Sequence, residues 1–255
     1  YRNSMKVIFL AAGYGNRLGD LTKNLPKCLL EINGQSILKR DMNAFMENGI
    51  TDFYIITGPY SDKFTFKNVN YIQDSNYENH DVLGTLMEAR NLLDDDVIIS
   101  YTDIVYDTSI VKKLLNFEGD IGLAVDMNWE EAYVGRTDHP IAEAANILSK
   151  NNSILKIGHK TETFGKFDDN MIGEFLGIMK LSKKGANMLR NRYEELEKLS
   201  ISKFFENRTF AFGYIVDIIQ DMINQGTVVN SVEISGNWCE IDTLQDLDNA
   251  KNKFS

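Results

Sequence analysis

Short apolar runs alternate with amphipathic stretches along the first half of the chain. The runs predict buried strands at residues 6–11, 53–57, 69–73, 97–101 and 121–126. Apolar residues at helical spacing predict helices between these strands, one beginning at Ser36 and others at residues 80–93 and 110–115. This alternation of strand and helix is typical of a doubly wound, mostly parallel α/β sheet.

The pattern changes after residue 130. Two predicted strands, 154–158 and 172–181, lie close together in the sequence, which predicts an antiparallel addition to the sheet. Helices are predicted at 183–196 and 211–224, a strand at 228–234, and a last helix capped by Thr243. The predicted fold is therefore a Rossmann-like, doubly wound α/β mixed sheet, mostly parallel, with a small antiparallel addition.

Composition and charge disfavour several classes of protein. The formal net charge is −10 and no dense basic run is present, which disfavours binding of nucleic acid. No apolar run approaches the ~20 residues of a membrane span. The two cysteines have no metal-binding spacing and are typical of a reduced, cytoplasmic protein. We expect residues 5–255 to form a single domain and residues 1–4 to be a tag or the remnant of a linker.

A glycine loop after the first predicted strand carries the clearest chemistry. Gly13 and Gly15 leave backbone N–H groups uncovered, which favours close approach of an oxygen anion. Arg17 and Lys27 add two positive charges beside this loop in an otherwise acidic chain. The loop lacks the Gly-Lys-Ser/Thr end of a Walker-type loop, and Leu18 stands where a dinucleotide-binding loop has its third glycine. The segment therefore predicts a phosphate site and disfavours a nicotinamide dehydrogenase.

The nine residues of this loop from Leu10 to Leu18, followed by Pro26 and Lys27, closely resemble a family signature. It is the signature of the nucleotidyltransferases that make nucleoside-diphosphate sugars and CDP-amino-alcohols. The resemblance implies a fold of the nucleotide-diphospho-sugar transferase type, with Arg17 and Lys27 as catalytic cations. It also implies a set of nucleotide-binding residues, namely Leu10, Ala11, Ala12, Gly13, Tyr14, Gly15, Asn16, Gly84 and Thr85.

Two acids are the candidate ligands for Mg²⁺. Asp103 follows a predicted strand and Asp242 precedes the last helix, and both resemble metal-binding positions of the family. Mg²⁺ is usually held by one or two carboxylates together with substrate phosphates. Capping of a helix or turn is the structural alternative for each aspartate. In many family members the first of these aspartates follows a glycine, whereas Asp103 follows Thr102.

The acceptor is predicted from the resemblance and from the chemistry of a few residues. The Cys-Glu-Ile-Asp sequence at 239–242 is most similar to cytidylyltransferases, which implies CTP as the donor. The implied acceptor is a phosphate or phosphonate such as phosphocholine, phosphoethanolamine or aminoethylphosphonate. We expect four residues to bind it, namely Trp129, Arg136, Glu174 and Trp238. Core packing is the alternative for the aromatic residues, and an outward-facing strand position is the alternative for Glu174.

Three further points remain open in the sequence. The similar phosphonate enzymes are sometimes fused to a second biosynthetic enzyme, which agrees with a linker at residues 1–4. Among the three histidines, only His139 in the segment 135–140 has neighbours that suggest a role at the acceptor. Two other functions fit parts of the pattern: a sugar-1-phosphate uridylyl- or thymidylyltransferase, and a non-catalytic regulatory domain that binds a nucleotide. The regulatory domain has no use for both Asp103 and Asp242.

Overall fold

The computed structural model describes residues 5–204, 206 and 208–255. Residues 1–4, for which the sequence predicts a tag or linker remnant, lie outside the described residues. The strands are β1 Lys6–Ala11, β2 Glu31–Ile32, β3 Gln35–Ser36, β4 Asp52–Thr57, β5 Asn70–Gln73, β6 Val97–Tyr101, β7 Ile104–Tyr106, β8 Ile121–Asp126, β9 Asn146–Lys150, β10 Ser153–Gly158, β11 Ile172–Leu181, β12 Asn230–Ile234 and β13 Trp238–Glu240. The helices are α1 Ile37–Met46, α2 Val82–Met87, α3 Thr108–Leu115, α4 Lys183–Lys198, α5 Ile215–Asn224 and α6 Leu244–Lys253.

Within the described residues, nine strands form one mixed sheet in the order β5-β4-β1-β6-β11-β8-β12-β10-β9. Strand β1 pairs in parallel with β4 and β6, and β4 pairs in parallel with β5, as the predicted doubly wound fold requires. Strand β11 runs antiparallel between β6 and β8 at the centre of the sheet, and β10 and β9 add further antiparallel pairings at one edge. Nine of the ten residues of β11 are buried, which is the property that a central strand needs.

Helices cover both faces of this sheet. Ile8 and Leu10 of β1 point to one face and share a core with residues of α2, α4 and α5. Val7 and Phe9 point to the other face and share a core with residues of α1 and α3. Side chains alternate between the two faces of a strand, so a strand buried on both faces holds both layers together. The α/β fold class predicted from the sequence is confirmed.

Local structure departs from the sequence prediction in a few places. The helix expected at 80–93 is α2 followed by a short 3-10 turn, because Ala89 leaves the helical region. The helix expected at 211–224 begins at Ile215, where Asp217 accepts a hydrogen bond from the N–H of Tyr214. None of the helices in the described part of the chain has both the length and the apolarity that a bilayer span requires.

The sequence did not predict β9, which has five residues, or the shorter strands β2, β3, β7 and β13. Strands β7 and β13 have three residues each and pair with each other in antiparallel fashion, with Glu240 opposite Ile104. Three residues are too few for a period-two pattern to be recognised. This pair is nevertheless important for the site, because it joins the segment after β6 to the segment before α6.

Candidate active site

An open cavity of about 520 Å³ lies beside the carboxyl ends of β1 and β6. Ligands of open α/β sheets bind at this edge, because the strands end there and the connecting loops diverge. Most of the site residues predicted from the sequence line this cavity, namely Leu10, Ala11, Ala12, Gly13, Tyr14, Arg17, Lys27, Thr85, Asp103, Glu174 and Asp242. Their roles in binding and catalysis stay predictions, although their common location is a fact of the fold.

The two glycines of the loop after β1 serve different purposes. Around Gly13, no heavy atom lies within 4 Å of the position that a Cβ would occupy, so the backbone faces open space in the cavity. At Gly15 a Cβ would lie 2.9 Å from Thr22 Cγ2 and 3.1 Å from Lys27 Cβ. Gly15 and Asn16 do not line the cavity. Gly15 therefore lets the segment that carries Lys27 pack against the loop, whereas Gly13 exposes the backbone to a ligand.

Asp103 and Asp242 are brought together by the pairing of β7 with β13. The pairing continues by one residue, and Ile241 N donates a hydrogen bond of 2.7 Å to Asp103 O. Lys27 Nζ forms an ion pair with Asp242 Oδ1. Thr102 Oγ1 donates a 2.7 Å hydrogen bond to Leu10 O, which ties the end of β6 to β1. The threonine that stands in place of the family's glycine thus helps to hold Asp103 beside the loop.

The charges of these three side chains depend on one another. Burial raises the pKa of Asp103 to about 7, with Lys27 opposing the shift and Asp242 and Glu240 adding to it. Burial also acts to raise the pKa of Asp242, but contacts with His139 and Lys27 outweigh it and lower that pKa well below its usual range. Burial would lower the pKa of Lys27, yet Asp103 and Asp242 raise it. The cluster therefore holds more negative charge than Lys27 alone compensates, which suits a cationic ligand.

Arg17 lies at the mouth of the cavity. Its Nη1 atom is 2.8 Å from Glu143 Oε2, and its Nη2 atom is 3.5 Å from Asp242 Oδ2. The side chain is 46% exposed, so these pairs are weak compared with those of a buried arginine. Arg17 can therefore exchange its carboxylate partners for an anionic ligand at low cost.

His139 is a buried member of the same cluster. Its Nδ1 atom lies 3.3 Å from Asp242 Oδ2, and its Nε2 atom lies 3.3 Å from Glu240 Oε1. The three side chains each place a possible ligand atom within 4.8 Å of the others. The two ring nitrogens face different carboxylates, however, so the imidazole is better placed to bridge two acids than to ligate one ion. Carboxylates such as those of Asp103 and Asp242, which both line the cavity, are the hard donors that Mg²⁺ prefers, and their role as its ligands stays a prediction.

His80 lines the cavity and contacts the buried Asp74, an Asp–His pair that the sequence analysis did not identify. Asp74 is fully buried, and its Oδ2 atom contacts His80 Nε2 at 2.6 Å and accepts a hydrogen bond of 2.9 Å from Thr85 Oγ1. Gly84 does not line the cavity; a Cβ there would lie 2.4 Å from the His80 ring, so the glycine makes room for it. The position of Asp74 directly after β5, at the ligand-binding edge, is the signal that would have found it.

Glu174, which the sequence predicts to bind the acceptor, lines the cavity. Its Oε1 atom accepts a hydrogen bond of 2.9 Å from the Tyr133 hydroxyl, while Oε2 has no partner among the described residues. Burial raises the pKa of Glu174 to about 8, and the nearby Glu240 adds to the shift. The alternative of an outward-facing strand position is excluded, since only 3% of the residue is exposed. An unpaired, buried carboxyl group that lines a cavity is suited to bind a cation or a hydrogen-bond donor.

Three residues expected to bind the acceptor do not line the cavity. Trp129 packs edge-to-face on Tyr133 in a small apolar cluster. Trp238 lies in the core, and its indole N–H donates a hydrogen bond of 2.8 Å to Asp126. Arg136 is buried and hydrogen-bonded to two acids, so its charge is already neutralised. These contacts favour the alternative of core packing for the tryptophans, and the acids that contact Arg136 are distant from it in sequence.

Comparison with known proteins decides the family. A family model described as a MobA-like NTP transferase domain matches residues 7–151, which is more than half of the chain. The chain belongs to this family. Its relatives and structural neighbours are nucleotidyltransferases, and it is an enzyme of this type.

Two curated relatives are similar to this nucleotidyltransferase over almost its whole length. A CTP:phosphoglutamine cytidylyltransferase from Campylobacter jejuni is 29% identical over 257 residues, which cover 96% of this chain and 98% of that protein. A bifunctional IPC transferase and DIPP synthase from Aquifex aeolicus is 22% identical over 96% of this chain, but the chain spans only 50% of that protein.

The solved structures show the shared fold. The CTP:phosphocholine cytidylyltransferase of Streptococcus pneumoniae superposes with a TM-score of 0.72 at 18% identity, covering 98% of this chain and 99% of that one. The inositol-1-phosphate CTP transferase of T. maritima superposes with a TM-score of 0.69 at 20% identity, covering 97% of this chain and 95% of that one. The nucleotide-diphospho-sugar transferase type of fold is thereby confirmed.

The raised pKa of Asp103 predicts how stability depends on pH in metal-free buffer. The folded-state pKa of about 7 lies above the unfolded value of about 4, so the contribution of this group is fully present below pH 4 and is lost as the pH rises through 7. We expect Asp103→Asn, which cannot ionise, to melt at a higher temperature than the wild type at a pH of about 8. The difference should vanish near a pH of about 4.

The measurement is thermal unfolding in the presence of a chelator across this pH range. Asp248→Asn is the matched control, because it removes the same charge from an exposed position on α6. Equal melting temperatures of Asp103→Asn and wild type at the higher pH would mean that burial of the ionised Asp103 carboxylate does not destabilise the fold.

Proposed function

We propose that this protein is a Mg²⁺-dependent cytidylyltransferase that transfers CMP from CTP to the phosphate or phosphonate of a small molecule and releases pyrophosphate. One observation carries the proposal: Lys27, Asp103, Asp242 and the bare backbone at Gly13 all line one cavity. The choice of CTP is supported by the sequence resemblance and by the cytidylyltransferases of Campylobacter jejuni and Streptococcus pneumoniae, whose names state that donor.

The donor is bound mainly by charge and by backbone amides. The backbone at Gly13, which lines the cavity with open space at its Cβ position, and the half-exposed guanidinium of Arg17 are suited to the β- and γ-phosphates. Lys27 is buried beside the acids and is suited to stabilise the negative charge that develops on the transferred phosphate. Mg²⁺ held by Asp103 and Asp242 would supply further charge neutralisation at the α-phosphate.

The reaction itself needs little acid–base chemistry from the protein. An oxygen of the acceptor phosphate or phosphonate forms a bond to the α-phosphorus, the bond from that phosphorus to the bridging oxygen breaks, and pyrophosphate leaves with the electron pair. Because the attacking oxygen is already ionised near neutral pH, no proton has to be removed from it. Catalysis then depends on positioning the two substrates and neutralising their charges, which is what Arg17, Lys27 and the loop amides are placed to do.

The acceptor is proposed to carry a cationic group that binds beside Glu174. This buried carboxyl group lines the cavity, its Oε2 atom has no partner among the described residues, and Glu240 lies close enough to add to the raised pKa of Glu174. An ammonium group would supply both the positive charge and the hydrogen-bond donor that this environment lacks. Phosphoethanolamine and aminoethylphosphonate have such a group, whereas the quaternary ammonium of phosphocholine offers charge without an N–H donor.

Two other functions, a sugar-1-phosphate nucleotidyltransferase and a nucleotide-binding regulatory domain, are distinguished from the proposed one by experiment. A glucose-1-phosphate thymidylyltransferase of Bacillus anthracis shares the fold with a TM-score of 0.73 at 19% identity, so the fold alone does not select the base or the acceptor. A regulatory domain that only binds nucleotides would not require two acids and a lysine in one cluster. The decisive experiment is a panel of CTP, UTP, dTTP and ATP against phosphocholine, phosphoethanolamine, aminoethylphosphonate, phosphoglutamine and glucose-1-phosphate, scored by pyrophosphate release with Mg²⁺.

The results of this panel separate the functions. Turnover with CTP and an amine-bearing acceptor supports the proposal. Turnover with UTP or dTTP and the sugar phosphate identifies a sugar nucleotidyltransferase instead. Binding of CTP without turnover of any acceptor points to the regulatory alternative.

Loss of the Lys27 charge should slow the chemical step. We expect Lys27→Ala to lower the turnover number roughly 10²–10³-fold, which is the usual loss for one electrostatic donor. Steady-state pyrophosphate release with the best substrate pair is the measurement, and Lys63→Ala, at an exposed surface position, is the control for the loss of a positive charge. Near-normal turnover of Lys27→Ala would remove this lysine from the mechanism.

Glu174 should control the affinity for a cationic acceptor. The ionised carboxylate binds the ammonium group, and because its pKa is raised to about 8, the KM for this acceptor should fall as the pH rises through that value. Glu174→Gln keeps the partner of the Tyr133 hydroxyl but loses the charge. We expect it to raise the acceptor KM roughly 10–100-fold, to abolish its pH dependence, and to leave the KM for CTP unchanged.

Glu130→Gln, at an exposed position beyond the end of β8, is the matched control for this substitution. An unchanged acceptor KM in Glu174→Gln would contradict the role of this carboxyl group, while turnover with CTP would still support the cytidylyltransferase function.

A further inference from the structure

The segment 135–140, here called the strap, lies between β8 and β9 and is fastened to the first turn of α6. The N–H groups of Thr137 and Asp138 donate to Gln245 Oε1 at 2.8 and 3.1 Å, and Gln245 Nε2 donates to Gly135 O at 3.0 Å. One side chain thus binds the strap backbone at three points.

Arg136 makes the strongest contacts of the strap. Its guanidinium donates to both carboxylate oxygens of Asp246, at 2.6 and 2.9 Å, and to Glu240 Oε1 at 2.9 Å. Only 5% of the arginine side chain and 1% of the Asp246 side chain are exposed. A buried, two-pronged arginine–carboxylate pair has a defined geometry as well as a favourable energy.

Asp246 in turn contacts the backbone of Asp242. Its Oδ2 atom accepts hydrogen bonds from the N–H groups of Asp242 at 2.9 Å and Thr243 at 3.1 Å, while the Thr243 hydroxyl accepts from Asp246 N at 3.2 Å. One carboxylate therefore binds two backbone N–H groups of the turn that carries Asp242 and holds that turn in place. That carboxylate is in turn oriented and neutralised by Arg136.

We propose that Arg136 is a positioning residue, which acts through Asp246 and Glu240 to hold the Asp242 carboxylate where it can share a divalent cation with Asp103. Without the guanidinium, Asp246 and Glu240 would be two uncompensated acids next to Asp242. Their repulsion would displace the turn at 240–243. The inference rests on the proposed function in one respect only, namely that Asp242 binds the metal.

The test compares Arg136 with a matched arginine outside the site. Arg192 donates to both carboxylate oxygens of Asp221, at 2.5 and 3.1 Å, and lies between α4 and α5 rather than along the cavity. The variants are Arg136→Met, Arg136→Lys and Arg192→Met. For each, we would measure the melting temperature, the binding of Mn²⁺ by electron paramagnetic resonance with α,β-methylene-CTP present, and the turnover number.

We expect both methionine variants to melt at lower temperatures than the wild type, because each loses a paired guanidinium. Only Arg136→Met should bind Mn²⁺ roughly 10–100-fold more weakly, which is the usual loss when a residue that orients a metal ligand is removed. Arg136→Lys keeps the charge but loses the two-pronged geometry, so we expect an intermediate Mn²⁺ affinity. If Arg136→Met fails to fold, the Mn²⁺ affinity of Arg136→Lys is compared with that of the wild type instead.

Wild-type Mn²⁺ affinity in a folded Arg136 variant would overturn the inference and leave Arg136 with a purely structural role. A wild-type protein that binds Mn²⁺ but turns over no acceptor would refute the proposed function, while weaker Mn²⁺ binding in Arg136→Met would still support the positioning role. A wild-type protein that binds no Mn²⁺ would overturn both the proposed metal site and this inference.

Discussion

The ion pair between Lys27 and Asp242 is the interaction on which the rest of the site depends. Burying several acids in one cavity is unfavourable unless a cation compensates them, and Lys27 is the buried cation that faces both Asp242 and Asp103. At Asp103 burial nevertheless outweighs the effect of Lys27, and the pKa of this carboxyl group is raised. The ionised form of Asp103 is therefore a cost to the unliganded protein, and a bound cation would relieve that cost.

The fold keeps these groups together by backbone contacts rather than by side chains alone. Lys27 and Asp242 are 215 residues apart, and they meet because the segment before α6 pairs with the segment after β6. Thr102 fastens the same region to β1, and Asp246 fastens it from the other side. A site made of distant residues is held to within hydrogen-bond distances only when its backbone is fixed in this way.

The cavity is lined by both cations and acids. Beside the glycine loop, Arg17 and Lys27 are paired with Glu143 and Asp242, while Glu174 lines the same cavity with one carboxyl oxygen that has no partner among the described residues. This combination of charges supports the proposal of a substrate that carries both an anionic and a cationic group. A phosphate or phosphonate that bears an amine has this distribution of charge, whereas a sugar phosphate does not.

The sequence by itself determined the sheet-and-helix alternation, the glycine loop and the two cations beside it, because each is a local pattern whose physical meaning does not depend on distant residues. Only the tertiary structure decided the fate of Arg136, Trp129 and Trp238, since each of these side chains could bind a ligand or pack inside the protein. Their partners, among them Asp246 and Asp126, are brought near by three-residue strands and long-range pairings that leave no periodic signal. The Asp74–His80 pair is a different case, because Asp74 directly follows a predicted strand and this local signal was present in the sequence; only the folding of the short segment between the two residues decided that they contact each other.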